Sequence, residues 1–448
     1  MQSLSAKRPT PARRRLASLA PLALSLAACG TDQVSLGTGD SPLEGEAPEL
    51  CPDGIAHGNF ELSSQEQVDA LSGCEVIAGN LGIIDTPALD LKPLRSIRVV
   101  RDDLWVHGDE QGPGGPIVDS LEGLESVEQV GRLVSAHLMS DLAPLANLTQ
   151  VRRDPLSVFA GDGIEIYFSG IEDLTGLENL VDWNRLFLVG NNDLESLRGL
   201  TVRLGDQEVH IQHAPRLRDL AGLGGATQMH SLWLWNTAIE NFDGVQLEVL
   251  GDLELRNSPR LTSLNGLSQS LRSIGAIILH DNDQLEELPA LPSNMYALSI
   301  AGNDNLRSIQ PFRYWDAPVG LRMSLGTPFS KDDSRTTNSD EVPLEFLFME
   351  LGNNPLLGEV HLPARFSSGS YVGIYDNPSL ARLGLGAVEN VDRLAIRNNA
   401  NLKHIDMPAL KRADDLDVRD NPNLSTATFD AVQTFSRDMA GNLEAPAP

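Results

Sequence analysis

The chain is poor in cysteine, in basic residues and in aromatic rings. Three cysteines in 448 residues cannot form a disulfide-dense scaffold. No Cys-x-x-Cys pair or Cys/His cluster occurs, which excludes a zinc site of the usual kind. Lys and Arg number 34 against 62 acids, a formal net charge of −28. Such an excess of negative charge argues against nucleic acid or an anionic lipid surface as partner. No HExxH, GxSxG, glycine-rich phosphate loop, calcium-loop or RTX-type pattern is present, so neither catalysis nor a cofactor is implied. Apart from one stretch near the start, no run is apolar enough to cross a membrane, which takes about 20 residues.

That stretch reads as a targeting segment. Lys7, Arg8, Arg13, Arg14 and Arg15 precede an apolar run, Leu16 to Ala28, too short for a stable span. It ends Leu26-Ala27-Ala28-Cys29-Gly30, which resembles the lipobox of bacterial lipoproteins. The resemblance implies cleavage before Cys29 and acylation of Cys29. The membrane would then be a partner through that lipid, and Gly30 points to an outer-membrane lipoprotein, periplasmic or surface-exposed. Without the segment the net charge falls to about −33. Residues 1–28 are therefore expected as signal peptide and 29–49, rich in Gly, Ser, Thr, Pro and acids, as a flexible tether. In an exported chain the two remaining cysteines, Cys51 and Cys74, most simply form one disulfide.

What the chain does have is a period. The second apolar residue of a recurrent apolar-x-apolar strand falls at Ile166, Leu188, Ile211, Leu234, Leu255, Leu279 and Ile300, in steps of 22, 23, 23, 21, 24 and 21. It resumes at Leu351, Ile374, Ile396 and Val418. Each unit adds Leu or Ile further on, as in Leu194, Leu197 and Leu200. Such a unit cannot bury its apolar residues alone, but stacked parallel copies can. The expected fold is mainly β: a right-handed parallel β-helix or leucine-rich-repeat-like solenoid with short capping helices. An Asn three residues past the marker (191, 282, 303, 354, 377, 399, 421) falls where the strand turns, and stacked Asn side chains would satisfy the backbone of adjacent coils. Ser64 is a plausible N-cap for a helix before Cys74, and Thr428 to Met439 is expected as a second, C-terminal helix. The period organises the chain into solenoid at 50–310, an inserted loop or junction at 311–345, and continuing repeats with a cap at 346–448. Gly112 to Pro116 reads as a further loop.

Cys51, a short helix and then Cys74-Glu75-Val76-Ile77-Ala78-Gly79-Asn80-Leu81-Gly82-Ile83 resemble the start of a receptor L domain, the leucine-rich module of the epidermal growth factor and insulin receptor ectodomains. Units such as Gly190-Asn191-Asn192-Asp193-Leu194 are similar to bacterial lipoproteins with leucine-rich repeats. The resemblance implies a fold and a habit of binding proteins on the sheet face. No transmembrane helix or kinase follows, so receptor signalling is not implied.

Pleating sends the residue between two core residues outward, and likewise the residue after them. On successive units the first position reads Glu165, Phe187, His210, Trp233, Glu254, Ile278 and the second Tyr167, Val189, Gln212, Trp235, Arg256, His280. Neighbouring strands lie about 4.8 Å apart. Tyr167, Phe187, His210, Trp233 and Trp235 should therefore converge as a ligand surface for a protein or a glycan at the cell surface. If the register is misjudged, the same rings belong to the core. No outward stack of carboxylates with Arg or Lys suits catalysis. Asp281 with Asp283, and Asp414, Asp415, Asp417 and Asp420, read as solvated turn acids. His210 and His213 lack a third metal ligand. The function expected is a lipid-anchored, non-catalytic recognition module. The alternatives are a structural envelope lipoprotein and a β-helix enzyme acting on polysaccharide.

Overall fold

The computed structural model describes residues 50–443 except 85–88, 108–119, 137–140, 153–162, 204, 206, 293–295, 311–345, 363–365 and 387. The segments expected as signal peptide and tether, with Cys29 expected to be acylated, and those expected as loops at Gly112 to Pro116 and at 311–345 all lie outside the described residues.

The protein is a parallel β-solenoid. The sequence markers are the sheet register itself. Ile166 pairs with Leu188, Leu188 with Ile211, Ile211 with Leu234, Leu234 with Leu255, and Leu255 with Leu279. Leu279 pairs with Ile300, and Ile300 with Leu351, so the strands flanking 311–345 are direct neighbours. The series continues through Ile374, Ile396 and Val418. A second, five-stranded parallel sheet runs from Glu287–Leu288 to His404–Asp406.

Within one coil the chemistry repeats. Leu186 and Leu188 point inward from the strand Arg185–Val189, and Leu194 and Leu197 close the coil from the other walls, all fully buried. The strand then turns through a left-handed residue two positions past the marker, for example Gly190 (φ 72°), Asn257 (φ 49°) and Asp420 (φ 58°). Gly, Asn and Asp tolerate this conformation best. The next residue carries the Asn ladder. Asn377 accepts the backbone N–H of Asn354 at 3.1 Å and donates to the Leu351 carbonyl at 3.0 Å; Asn399 repeats both bonds one coil on, to Asn377 at 3.2 Å and Ile374 at 3.0 Å. Each amide thus satisfies two buried backbone groups of the preceding coil, which would otherwise be orphaned.

The N-terminal end is closed by the helix Gln65–Ala70. Ser64 caps it in a capping box with Gln67, and the Cys51–Cys74 disulfide, with Cα atoms 5.6 Å apart, ties its flanks. The C-terminal end differs from the expected helix over Thr428 to Met439. A 3₁₀ turn, Thr426–Phe429, buries Phe429, and the strand Ser436–Asp438 pairs with Arg412–Arg419. Strand pairing wins there because the preceding strand's backbone needs a partner. Asn442 then accepts the Asn421 N–H at 3.0 Å and continues the ladder.

Candidate functional site

The outward positions of the strands Gly163–Tyr167, Arg185–Val189, Glu208–Ala214, Gln228–Thr237 and Val249–Arg256 form one face. Register brings Phe187 beside Glu165 and His210, and His210 beside Trp233. Tyr167 meets Phe187 edge-on at 6.0 Å, and Phe187 meets His210 edge-on at 6.4 Å. His210 stacks on Trp233 at 3.9 Å with planes 1° apart, and Trp233 lies parallel to Trp235 at 6.2 Å. The Arg256 guanidinium sits over Trp235, 5.3 Å from its centroid. All five residues singled out from sequence are therefore in one continuous row.

Facing outward does not make every member accessible. Tyr167, Phe187, Trp233 and Trp235 are half-buried, whereas His210 is only 7% exposed between its neighbours. Its Nε2 is 2.7 Å from the Ser231 hydroxyl. Burial, then the nearby Arg185 and His230 charges, push its pKa down to about 3. The Trp233 indole N–H is buried with no acceptor among the described residues, so packing and stacking alone hold that ring.

A buried carboxylate closes each end of the row. Glu165 accepts hydrogen bonds from Tyr167 Oη at 2.6 Å and Arg132 Nη2 at 2.8 Å, and Arg185 Nη2 lies at 3.4 Å. Glu254 is paired with Arg256; burial raises its carboxyl pKa and the Arg256 charge opposes that rise. Acid and arginine compensate one another at both ends, leaving a near-neutral aromatic strip in a strongly acidic chain. The strip also coincides with a gap in the Asn ladder, where Ala214, Thr237 and Ser258 take the ladder position and Thr237 meets Ser258 at 3.0 Å.

Beyond Arg256 lies a hydrogen-bond chain that the sequence did not announce. Arg256 Nη1 is 3.2 Å from His280 Nδ1, His280 Nε2 is 2.7 Å from Ser299 Oγ, and Ser299 Oγ is 3.1 Å from Glu350 Oε2. Arginine only donates, so Nδ1 accepts and Nε2 carries the hydrogen. His280 therefore donates to Ser299, which donates to Glu350. The imidazole has no free lone pair with which to deprotonate Ser299, so this pair is not poised as a nucleophile and base. Burial, then the Arg256 charge, lower the His280 pKa to about 4.

This depression fixes a pH dependence. The unfolded chain takes up protons at its histidines below pH of about 6.5, while folded His280 and His210 resist until about 4 and about 3. Stability is full above about 6.5 and falls as pH drops toward the folded values. Buried Glu254 and half-buried Asp252 and Glu350, whose pKa values desolvation raises, act in the opposite sense around the acid end of that window. The His280→Gln variant isolates the imidazole. Its denaturation midpoint between pH 7 and 5 should fall less steeply than that of the unaltered chain, by up to about 1.4 kcal/mol per pH unit.

A second aromatic patch sits further along the same face. Phe348 stacks on Tyr371 at 5.4 Å, and Arg393 lies 5.9 Å from the Tyr371 centroid. The column three residues before each marker, which holds Phe348, Tyr371 and Arg393, is the signal that would have located it. Of the acids expected as solvated turn acids, three are in ion pairs: Asp415 with Arg393, Asp414 with Arg412, and Asp417 with Arg397 and Arg419. Among the described residues no three His, Cys, Asp or Glu side chains are grouped to hold a metal ion.

The class of fold is a mainly β solenoid of parallel strands with very few helices. No protein-family model and no curated protein sequence matches the chain. Among solved structures, the chain is similar to the functional domain of InlJ from Listeria monocytogenes, which includes a cysteine ladder. The identity is 14%, over 83% of this chain and 75% of that one, with a TM-score of 0.31. It is also similar to TLR13 in its complex with ssRNA13, at 14% identity over 87% of this chain and 62% of that one, with a TM-score of 0.22.

Proposed function

We propose that the protein is a non-catalytic recognition module that binds another protein on the aromatic face of its sheet. The observation that carries this reading is the row Tyr167, Phe187, His210, Trp233, Trp235, terminated at each end by a buried glutamate paired with arginine. Aromatic and arginine side chains on a rigid scaffold are the groups that dominate protein interfaces. A sugar-stacking platform needs broad ring faces. Here His210 covers one face of Trp233 and Arg256 lies over Trp235, so edges and a cation remain, which favours protein over glycan.

The test is the affinity of a partner captured by the full chain. Trp233→Ala together with Trp235→Ala should weaken it at least about 100-fold, with the circular dichroism unchanged. Unchanged affinity in the folded double variant removes the aromatic face as the ligand surface and leaves the structural-envelope reading.

The Leu26-Ala27-Ala28-Cys29 sequence supports attachment of this module to the outer membrane through an acylated Cys29. Several acyl chains hold a protein stably where one does not. A fatty-acid analogue fed to the producing cells should label the chain, and Cys29→Ser should lose the label and move to the soluble fraction. Continued labelling of that variant contradicts the anchor.

A further inference from the structure

One arrangement recurs on this protein: an acid, an arginine that it holds, and an aromatic ring under the guanidinium. Glu254 holds Arg256 over Trp235, Asp415 holds Arg393 over Tyr371, and Asp414 holds Arg412 over Phe435. The planar guanidinium suits both neighbours, since its edge meets the carboxylate and its face meets the ring.

From Ile166 to Val418 the outward residue just before the marker is acidic in four coils, at Glu165, Glu254, Glu350 and Asp417. Glu165 is met by Arg132 at 2.8 Å, Glu254 by Arg256, and Asp417 by Arg397 and Arg419. Glu350 makes no ion pair among the described residues; the Ser299 hydroxyl donates to it at 3.1 Å. The register shows why. Arg256 and Arg419 stand two residues after their acids, and there Glu350 has Gly352. Its partners across the sheet are Ser299 and Gly373, and neither carries a cation. Arg256 is the cation whose charge reaches Glu350, and it is already held by Glu254. Burial raises the Glu350 carboxyl pKa, against the Ser299 hydrogen bond and the Arg256 charge.

The aromatic part of the arrangement is present. Phe348, Glu350 and Gly352 share one face of the strand Phe346–Gly352, because Met349 and Leu351 between them are buried. A Cβ on Gly352 would stand 2.2 Å from Tyr375 Cε2, and one on Gly373 would stand 2.5 Å from the Tyr371 hydroxyl oxygen. The two glycines are therefore the room that these tyrosines occupy beside Glu350. Phe348 stacks on Tyr371 at 5.4 Å and is 37% exposed. A half-buried carboxylate thus stands among three rings, with acid and rings in place and the arginine missing.

We propose that Glu350, between Phe348 and Tyr375, is the seat of an arginine side chain supplied by the partner protein. This rests on the protein-binding reading above and names the group that the partner contributes. The partner's guanidinium takes on Glu350 the place that Arg256 takes on Glu254. The complementarity is local: the cation is called for by the one acid of its column that the chain leaves without an arginine. A half-buried carboxylate without a counter-ion opposes folding, and a bound cation offsets that cost in the complex alone.

The test uses the full chain and two peptides, acetyl-Gly-Arg-Gly-amide and its citrulline counterpart, which keeps the side-chain shape without the charge. In saturation-transfer NMR with the aromatic protons irradiated, transfer to the arginine methylenes should exceed transfer to citrulline at least about fivefold. Glu350→Gln should reduce the arginine signal at least about fivefold, whereas Trp233→Ala with Trp235→Ala, several coils away, should leave it within about twofold. Glu350→Gln should melt no lower than the unaltered chain, since its amide oxygen still accepts from Ser299 and no charge is desolvated. The same variant should weaken the captured partner at least about tenfold. Arginine transfer that survives Glu350→Gln, equal transfer to citrulline, no transfer to either peptide, or a lower melting point overturns this inference. Partner affinity that falls in the double Trp variant but not in Glu350→Gln overturns it and spares the protein-binding reading. Affinity that neither change affects overturns both.

Discussion

The Asn377→Ala variant should lose about 3–4 kcal/mol of stability, read as a lower denaturant midpoint, although it deletes no apolar group. The Asn377 side chain is fully buried. It accepts from the Asn354 N–H at 3.1 Å and from Asn354 Nδ2 at 3.2 Å. It donates to the Leu351 carbonyl at 3.0 Å and the Tyr375 carbonyl at 2.9 Å. Truncation takes this partner from the Asn354 N–H and the Leu351 carbonyl in a buried space, at about 1–3 kcal/mol each before relaxation, whereas Asn354 Nδ2 keeps the Ile300 and Gly352 carbonyls and the Tyr375 carbonyl keeps the Asn353 N–H. The coils contact only their neighbours, so the loss should also appear as accelerated amide exchange around 351–377 and 390–399 while the capped N-terminal end is unaffected. A control exists within the protein. Thr237→Val lies at a ladder position already lacking Asn, where only the 3.0 Å contact with Ser258 is removed, and should lower stability by no more than about 1–2 kcal/mol.

The second large effect concerns the wall opposite the sheet face. Gly199→Ala should destabilise by about 2–5 kcal/mol. Gly199 has φ +97°, outside the range an L side chain adopts readily, and a Cβ there would lie 2.1 Å from the Leu174 carbonyl oxygen. Neither coil can yield without parting the stack. The requirement recurs at Gly266, where the Cβ would approach the Phe242 oxygen to 1.8 Å. Gly225→Ala is the comparison. It has open space around it and no left-handed backbone, so it should be neutral or slightly stabilising in thermal melting.

Much of the fold is legible in the sequence. The strand markers are, because an apolar pair every 21 to 24 residues has one economical burial, and the pairing of Ile166 through Val418 follows it residue for residue. The Asn positions are legible for the same reason. The tight back wall was written in Leu197-Arg198-Gly199-Leu200 and Leu264-Asn265-Gly266-Leu267, but a Leu-x-Gly-Leu repeat reveals close backbone contact only once coils are stacked. The C-terminal cap is not legible in the sequence, because Thr428 to Met439 suits a helix in isolation whereas the unpaired strand before it recruits Ser436–Asp438.

The candidate site was half legible. Alternation along the strand placed Tyr167, Phe187, His210, Trp233 and Trp235 together, because register fixes which outward residues are neighbours. Alternation does not report how deeply an outward residue sinks between its neighbours. His210 is consequently covered, and Glu165 and Glu254 are 6% exposed despite their outward position. The chain from Arg256 through His280 and Ser299 to Glu350 needs side-chain geometry across four strands, one of them beyond the 311–345 interval, and no spacing rule supplies that.

The most direct measurement of the central claim is hydroxyl-radical footprinting of the full chain with and without its bound partner. Oxidation at Tyr167, Phe187, Trp233 and Trp235 should fall at least severalfold on binding while Leu356 and the 82%-exposed Phe435 stay unchanged. Equal oxidation of those four rings in both states, with protection appearing at Leu356 or Phe435, would contradict the claim that the sheet's aromatic face is where this protein binds.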